Sequence, residues 1–289
     1  MPLDKHSSCK VNLLLNILGR RPDGFHELET VLHPVNLHDA LSFERHGTRL
    51  RLQCNDPLLP TNAKNLVFAA AERFLKTAGI NEGVRIHLEK RIPIAAGLGG
   101  GSGNAATTLL ALNELFGQPL SQPDLLQLAA SLGSDIPFFL QSRPALATGR
   151  GEIITPLDFF PALAGAWMVL VHPGFGISTA WAYEQLARHP EALQGNPGRA
   201  QRLISLLQTA ALSDAGKGFY NSLEAPALFK YPLLQLFQEF FREQGAAALM
   251  SGSGSTTFAV APSRPSAETL LEQFQAKFGP QFWTALVNL

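Results

Sequence analysis

A glycine-rich stretch at residues 97–103 carries the clearest chemical signal in the sequence. Five of its seven residues are glycines, and a run with helix-forming composition follows Asn104 directly. Glycine lets the backbone approach a ligand closely and adopt positive φ angles. A helix N-terminus adds unpaired N–H groups and a partial positive charge. The stretch therefore predicts an anion site, and phosphate is the anion that such sites usually bind.

Two common phosphate loops do not fit this stretch. A Walker A loop ends in Gly-Lys-Ser/Thr, and residues 92–113 contain no lysine. The dinucleotide pattern G-x-G-x-x-G fails because Ser102 occupies its third glycine position. A glycine-rich turn without a ligand is the remaining alternative, although such a turn loses chain entropy on folding for no gain in binding.

Asp135 and Lys10 are candidates for phosphoryl-transfer chemistry. A kinase needs a group that orients and deprotonates a hydroxyl, together with cations that balance the moving phosphoryl group. Asp135 lies in the otherwise apolar segment 132–140, where it fits either a catalytic carboxylate or an N-cap before Ile-Pro. Lys10 opens the first predicted strand and shares its face with Asn12, but a lysine there also fits a solvated strand end.

Two further segments are consistent with ligand binding. Residues 251–255 form a second glycine-serine loop between apolar strands, and this composition fits a phosphate nest or a plain hairpin turn. Phe25 and His26 follow a turn signal at Asp23-Gly24. An aromatic face can stack on a base and an imidazole can bind a base edge, whereas a lone histidine is more often a surface residue.

The composition predicts an ordinary globular protein of one large or two modest domains. The chain has 289 residues, 46% of them hydrophobic, and a formal net charge of zero. This balance argues against a broad nucleic-acid interface. Cys9 and Cys54 form no C-x-x-C pair, so neither a thiol-built zinc site nor a disulfide framework is expected. Without a signal-peptide core or a run of 18 apolar residues, the expected location is the cytoplasm and no membrane partner is expected.

The expected elements are strands in the first half of the chain and helices in the second. Strands alternate through the first 55 residues, and a helix over 63–78 is capped by Thr61 or Asn62 and stopped by Gly79. A strand at 84–88 leads to the glycine-rich stretch. The later predictions are a capping box at Ser121–Asp124, a break near 156–166, a strand at Trp167–Val171, helices at 178–188, 199–211 and 232–244, two short strands around 251–255, and a final helix and strand. This order favours an α+β fold.

These motifs together resemble those of the GHMP kinases, a family named for galactokinase, homoserine, mevalonate and phosphomevalonate kinases. The segment Pro93–Asn104 resembles their middle motif and 251–255 resembles their third. Further segments resemble the branch of the family that phosphorylates a cytidine-diphosphate-linked methylerythritol: Lys10–Leu15, Gly19–Leu28, Gly133–Phe139 and Asn221–Glu224.

The resemblance implies a two-domain α+β fold. It has a ribosomal S5 domain 2-like N-terminal domain, here 1–158, and a ferredoxin-like α/β-sandwich C-terminal domain, here 159–289. It also implies ATP as phosphoryl donor, Mg²⁺ held mostly by phosphates and water, and a monomer or weak homodimer. The alternatives are a homoserine- or mevalonate-type kinase and a catalytically silent nucleotide-binding protein. The Asp-Gly-Phe-His block at 23–26 speaks against the first, and the presence of Lys10 and Asp135 speaks against the second.

The resemblance also assigns site residues. The expected catalytic pair is Lys10 and Asp135, with the lysine holding the aspartate ionised. The expected ATP loop comprises Pro93, Ala95, Ala96, Gly97, Leu98, Gly99, Gly100, Gly101, Ser102 and Gly103. The expected substrate residues are Asn12, Phe25, His26, Thr179 and Tyr183. Gly103 stands where the family usually has Ser, so a Cβ there is expected to be accepted, while Gly100 is expected to need a positive φ.

Overall fold

The computed structural model describes residues 2–193 and 195–289 and divides into two compact units. The first unit comprises the chain up to Cys9, Leu37–Pro93 and Gly99–Ser142; the second comprises Lys10–Asn36, Ile94–Leu98 and Arg143–Leu289. The units alternate along the sequence because strands β1 (Leu3–Arg20) and β2 (His26–Arg45) each contribute to both. They therefore do not test the domain boundary at 158, which stays a prediction.

The first unit is built of strands covered by helices. Its remaining elements are β3 (Arg51–Cys54), α1 (Leu66–Thr77), β4 (Val84–Glu89), α2 (Gly100–Leu115), α3 (Gln122–Leu132) and a 3₁₀ helix (Ile136–Leu140). Strand β4 pairs antiparallel with residues 40–45 of β2 and parallel with β3. Helix α2 packs against α1, α3 and the 3₁₀ helix, so the element that follows the glycine-rich stretch lies at the centre of this unit.

The ends of the helices in the first unit follow from their capping residues. The cap of α1 is Asn65, whose side chain accepts a hydrogen bond from the Val67 amide. The prediction of Thr61 or Asn62 as the cap is wrong because the Asn62 side chain instead accepts the Lys64 amide in the preceding turn. The predicted stop at Gly79, which has φ +65°, is confirmed. The predicted capping box at the start of α3 is also present.

The second unit contains the strands and helices predicted for residues 167–289, together with further short strands and helices that were not predicted from the sequence. They are β5 (Ala145–Gly149), β6 (Ile153–Pro156), β7 (Trp167–His172), α4 (Thr179–Gln185), α5 (Pro190–Leu193), α6 (Arg199–Thr209), α7 (Leu212–Ala215), β8 (Tyr220–Asn221), α8 (Glu224–Lys230), α9 (Pro232–Glu243), β9 (Ala247–Met250), β10 (Thr257–Ala261), α10 (Arg264–Phe278) and β11 (Trp283–Asn288). Strand β8 pairs parallel with β1 at Leu14 and Leu15, and β5 pairs antiparallel with residues 28–32 of β2.

An antiparallel sheet with the order β11-β7-β10-β9 carries one core of the second unit. Helices α9 and α10 pack on it through Phe237, Phe241 and Phe274, which are fully buried. The rings of Phe241 and Phe274 stack with their centroids 5.4 Å apart. Burial of each such ring contributes about 1.5–3 kcal/mol. Among the helices that the structure describes, none has the length and apolar character to cross a bilayer.

Candidate active site

The first part of the predicted phosphate loop, Ile94–Leu98, belongs to the second unit and is fixed there by backbone hydrogen bonds. The carbonyl oxygens of Ala96 and Leu98 accept the amides of Thr256 (3.1 Å) and Lys10 (2.9 Å). Gly97 has φ +77°, and a Cβ at this residue would lie 2.0 Å from the Ser251 carbonyl oxygen. Only glycine fits at this position, because the backbone is left-handed and another backbone segment lies against it.

Lys10 is buried at the start of the second-unit part of β1, with 3% of its surface exposed. Its ammonium donates hydrogen bonds to the Gly97 carbonyl oxygen (2.9 Å) and to Asn12 Oδ1 (2.5 Å). The Asn12 amide is oriented by its own donation to Thr30 Oγ1 at 2.9 Å. The alternative of a solvated strand end is therefore wrong. A cation so buried needs such partners, because an unpaired one would be costly to desolvate.

The second glycine loop, residues 251–255, also lies against Lys10 and Gly97. It closes the β9–β10 hairpin through the bond from the Ser251 amide to the Thr256 carbonyl, 2.9 Å long. It also contacts the first loop, since Ser251 Oγ donates to the Gly97 carbonyl at 2.9 Å. A Cβ on Gly252 would lie 3.1 Å from both Lys10 Nζ and the Gly97 oxygen. The loop is thus more than a plain hairpin turn.

The remainder of the phosphate loop belongs to the first unit, where it starts helix α2. Gly99 is the N-cap, with φ +68° and no side-chain capping bond, and the first turn contains no acidic residue. The first amides of this turn have no acceptor within the helix and can therefore bind an anion. The expected positive φ at Gly100 is wrong, because Gly100 is already the first helical residue. The left-handed positions are Gly97 and Gly99 instead.

Gly103 has no room for a serine side chain, although the resemblance to the GHMP kinases implied that one would be tolerated there. A Cβ at this position would lie 2.5 Å from the Ser8 carbonyl oxygen and 3.0 Å from Ser7 Oγ. The expectation that a Cβ is tolerated here is therefore wrong for this chain. The cause is the close approach of helix α2 to the backbone of β1 within the first unit.

A buried carboxylate, which was not predicted from the sequence, binds the residues that flank the phosphate loop 93–103 on either side. Asp39 is fully buried, and its Oδ1 accepts the amides of Arg91 (2.8 Å) and Ile92 (2.9 Å). Its Oδ2 accepts hydrogen bonds from the Lys90 ammonium and from Asn104 Nδ2, the latter at 2.9 Å. The available signal was an acidic residue within the apolar alternation of β2.

Asp135 precedes the 3₁₀ helix Ile136–Leu140, against which α2 packs. It makes no side-chain capping hydrogen bond, so the N-cap alternative gains no support. The expected apolar setting is wrong for the carboxylate itself, because Asp135 is exposed while Ile136–Phe139 are buried. The carboxylate therefore needs no buried partner and stands open to a ligand.

The predicted substrate residues all lie in the second unit, and the structure brings two of them, His26 and Tyr183, into contact. The rings of His26 and Tyr183 have their centroids 5.1 Å apart. Burial, and secondarily the charge of Arg20, lowers the pKa of the His26 imidazole below its usual value. The ring is therefore neutral at pH 7 and offers one donor and one acceptor.

The other predicted substrate residues have partners that sequence reasoning missed. Phe25 is 51% exposed, and the guanidinium of Arg150 lies over its ring, 4.6 Å from the centroid. The Thr179 and Ser253 hydroxyls are 3.0 Å apart. No local sequence pattern links such distant residues, so these pairs could not be predicted. Within residues 2–193 and 195–289, no group of three or more His, Cys, Asp or Glu side chains forms a metal site.

Comparison with known proteins identifies the family. The profile described as GHMP kinases N terminal domain matches residues 65–143, and the one described as GHMP kinases C terminal matches residues 191–280. The 4-diphosphocytidyl-2-C-methyl-D-erythritol kinase of Syntrophus aciditrophicus is 42% identical over 257 residues, which is 88% of each chain. The enzyme of the same name from Gloeobacter violaceus is 42% identical over 91% of this chain and 87% of its own.

Solved structures agree with this assignment and with the predicted two-domain α+β fold. A crystal structure of 4-(cytidine 5'-diphospho)-2C-methyl-D-erythritol kinase superposes with a TM-score of 0.80 at 35% identity, covering 99% of this chain and 100% of that one. The homoserine kinase of Cytophaga hutchinsonii shares the fold, with a TM-score of 0.78 at 20% identity, covering 100% of this chain and 94% of its own. The chain belongs to the GHMP kinases, in the family of the 4-diphosphocytidyl-2-C-methyl-D-erythritol kinases.

Proposed function

We propose that this kinase transfers the γ-phosphoryl group of ATP to the 2-hydroxyl of 4-diphosphocytidyl-2-C-methyl-D-erythritol, an isoprenoid precursor, with Lys10 and Asp135 as its catalytic residues. The observation that carries the proposal is the buried Lys10 ammonium, bonded to the Gly97 carbonyl and packed against Gly252. A fixed cation between two glycine loops is what phosphoryl transfer requires, because charge develops on the phosphoryl oxygens.

In this reaction the substrate hydroxyl oxygen forms a bond to the γ-phosphorus, while the bond from that phosphorus to the bridging oxygen of ADP breaks. Asp135 takes the hydroxyl proton, a role supported by its exposure and by the absence of a capping bond. Lys10 offsets the negative charge on the phosphoryl group in transit. Its hydrogen bonds to Gly97 and Asn12 hold the ammonium in place before the substrate arrives.

Residues 93–103 are the proposed cradle for the ATP phosphates. The fit is supported by the left-handed Gly97 and Gly99 and by the first turn of α2, whose amides have no side-chain cap and are suited to binding an anion. Ser102 adds a hydroxyl donor. Mg²⁺ enters as the ATP complex and supplies charge neutralisation, and because it usually keeps several waters, few protein ligands are needed.

The cytidine end of the substrate is assigned to His26, Tyr183 and Phe25. A neutral imidazole donates one hydrogen bond and accepts another, which matches the acceptor and donor on the edge of cytosine. The ring of Tyr183 supports His26 and offers a stacking face. Arg150 covers one face of Phe25, which leaves the opposite face for a base. Asn12 and Thr179 are assigned to the polar remainder of the substrate.

A direct comparison of acceptors tests the proposal. Purified protein is incubated with ATP, Mg²⁺ and one of three acceptors: the cytidine-diphosphate-linked methylerythritol, homoserine or mevalonate. Phosphorus NMR should show a new phosphomonoester only with the first. Equal or faster turnover of homoserine or mevalonate would contradict the substrate assignment. ATP binding without turnover of any acceptor would support the silent nucleotide-binding alternative.

The charge balance of the chain bears on its state in solution. We infer a cytoplasmic monomer or weak homodimer that binds small molecules and not nucleic acid. The zero formal net charge supports the last point, because nucleic-acid binding relies on a basic surface. Light scattering behind a sizing column should give a mass near 31.2 kDa at low concentration.

A further inference from the structure

The segment Asn221–Glu224 was identified in the sequence only as a motif, and none of its residues has a role in the reaction proposed above. In the structure this segment joins β8 to α8 and lies beside β1. Asn221 is 3% exposed and pairs with Leu15 across the parallel strands. The Ser222 amide donates to the Leu15 carbonyl at 2.8 Å. The motif is therefore fixed to the strand that carries Lys10.

The carboxamide of Asn221 reaches from this strand to the second glycine loop. Its Nδ2 donates to the carbonyl oxygens of Met250 (2.8 Å) and Gly252 (2.7 Å), and its Oδ1 accepts the Leu223 amide at 2.9 Å. Glu224 holds the same segment from its other side, because its Oε1 accepts the Met250 amide at 2.8 Å. Both backbone groups of Met250 are thus held by this motif.

Gly252, which Asn221 holds, is the residue whose backbone packs against Lys10 and the Gly97 carbonyl. A displacement of the Gly252 backbone therefore changes the packing around the Lys10 ammonium. We propose that Asn221 is a positioning residue for phosphoryl transfer. It fixes the segment Met250–Gly252, and this segment in turn holds the Lys10 ammonium in position. The inference rests on the proposed function of Lys10.

Only a carboxamide performs this task at Asn221. Its NH₂ group supplies two donors for two carbonyl acceptors, while its oxygen accepts the Leu223 amide. An aspartate has the same volume and keeps the acceptor, but it removes both donors and places negative charge against two carbonyl dipoles. Buried carbonyls that lose their donors carry the full cost of desolvation, so the loop should move away.

The test compares Asn221→Asp with Asn113→Asp. Asn113 also donates to a backbone carbonyl and accepts a backbone amide, in both cases of Leu120, but it lies near the end of α2 and has no role in the proposed site. We expect Asn221→Asp to lower kcat about 10–100-fold while the KM for ATP changes by less than about 3-fold, since a displaced Lys10 ammonium loses an interaction that it makes with the transition state. Asn113→Asp should keep the kcat of wild type.

Hydrogen exchange provides a readout that does not depend on turnover. The Gly254 amide donates to the Ser251 carbonyl at 2.9 Å, and the Thr256 amide donates to the Ala96 carbonyl at 3.1 Å. In Asn221→Asp their exchange should speed up about 10-fold or more, and in Asn113→Asp it should not change. If wild type turns over no acceptor, the proposed function fails, and the exchange data still decide whether Asn221 holds the loop.

A second pair of variants covers the case in which Asn221→Asp does not fold. Glu224→Met removes the acceptor for the Met250 amide at similar volume, whereas Glu224→Gln keeps one. We expect the methionine variant to lose about 3–10-fold in kcat and the glutamine variant to recover most of it, as the loss of one hydrogen bond would give. Wild-type kcat and loop exchange in a folded Asn221→Asp, or wild-type kcat in Glu224→Met, would overturn the proposal.

Discussion

Two carboxylates of the first unit, Asp39 and Asp135, differ in whether their oxygens already have partners. Both oxygens of Asp39 accept two hydrogen bonds each, and the side chain is fully buried. Asp135 is exposed and makes no capping bond. A group that takes a proton needs an available lone pair, so the first carboxylate is suited to holding structure and the second to chemistry.

The Asp135→Asn substitution should separate these two roles. We expect kcat to fall by about 10²–10⁴, the usual contribution of acid–base assistance. The melting temperature should stay within error of wild type, because no side-chain capping bond is lost. Steady-state kinetics and a thermal melt of the same preparation give both values. A variant with nearly full turnover would leave Asp135 without a catalytic role.

The Asp39→Ala substitution should act on stability instead. It leaves the Lys90 side chain, which is 6% exposed, without its ion-pair partner, and breaking such a buried pair costs about 3–5 kcal/mol. The surface pair of Arg143 with Asp158 supplies the control, since Asp158→Ala should change the free energy of unfolding by about 1 kcal/mol or less. Urea unfolding measures the free energy of unfolding of both variants. Equal losses in Asp39→Ala and Asp158→Ala would contradict the burial of the Asp39–Lys90 ion pair.

His33 should make stability depend on pH. Burial lowers the pKa of its imidazole to about 4, from 6.5. As the pH falls below about 6.5 the unfolded chain binds the proton first, so stability is lost between about pH 6.5 and 4. From pH 7 to pH 5 this contribution amounts to about 2 kcal/mol. Urea unfolding at pH 7 and pH 5 measures how much the free energy of unfolding falls between the two. In His33→Gln this fall should be smaller than in wild type by the His33 contribution, and an equal fall would exclude His33 as its source.

At the scale of elements, the sequence was most reliable where the deciding interaction is local. The capping box Ser121–Asp124 and the stop at Gly79 depend on neighbouring residues, and both predictions are confirmed. The predicted cap of α1 was wrong because Asn62 and Asn65 are equally good caps by residue type. Asn62 caps the turn that precedes the helix, so Asn65 caps the helix itself.

The interactions that hold the site together are of another kind. Asn221 with Gly252, Arg150 with Phe25, and Asp39 with Asn104 join residues far apart in the chain. Periodicity and spacing carry no information on such pairs. The resemblance to the GHMP kinases indicated Lys10 and the two glycine loops, whereas the partners that hold them in place are seen only in the folded structure.

The two parts of the phosphate loop should respond differently to the same substitution. Gly97→Ala places a Cβ 2.0 Å from the Ser251 carbonyl in a left-handed backbone. Gly101→Ala meets only the end of the Leu66 side chain at 3.6 Å, inside a helix. We expect Gly97→Ala to weaken the binding of an ATP analogue about 10-fold or more, because the loop must change its path.

Gly101→Ala is the control for the size of the added group. It should keep the melting temperature of wild type or raise it slightly, since alanine is favoured over glycine in a helix by about 1 kcal/mol. Isothermal titration and a thermal melt of both variants complete the comparison. Equal affinity of Gly97→Ala and wild type would mean that this loop is not the phosphate cradle.

At the scale of the whole molecule, the balance of charges has a measurable consequence. With 23 basic and 23 acidic residues and a pI near 7.1, the protein has almost no net repulsion between copies at neutral pH. Solubility should be lowest near pH 7 and rise on either side. The osmotic second virial coefficient at pH 7 and pH 8.5 tests this, and a more repulsive value at pH 7 would contradict it.

The interleaving of the two compact units along the chain also has a consequence for synthesis on the ribosome. Leu15 of β1 belongs to a buried cluster that includes Leu223, Leu234 and Met250. At about 5–20 residues per second, the chain between Leu15 and Met250 takes about 10–50 s to be made. For that time the segment that carries Lys10 and Asn12 has emerged without its final neighbours, and its apolar side chains are open to chaperones and to other nascent chains.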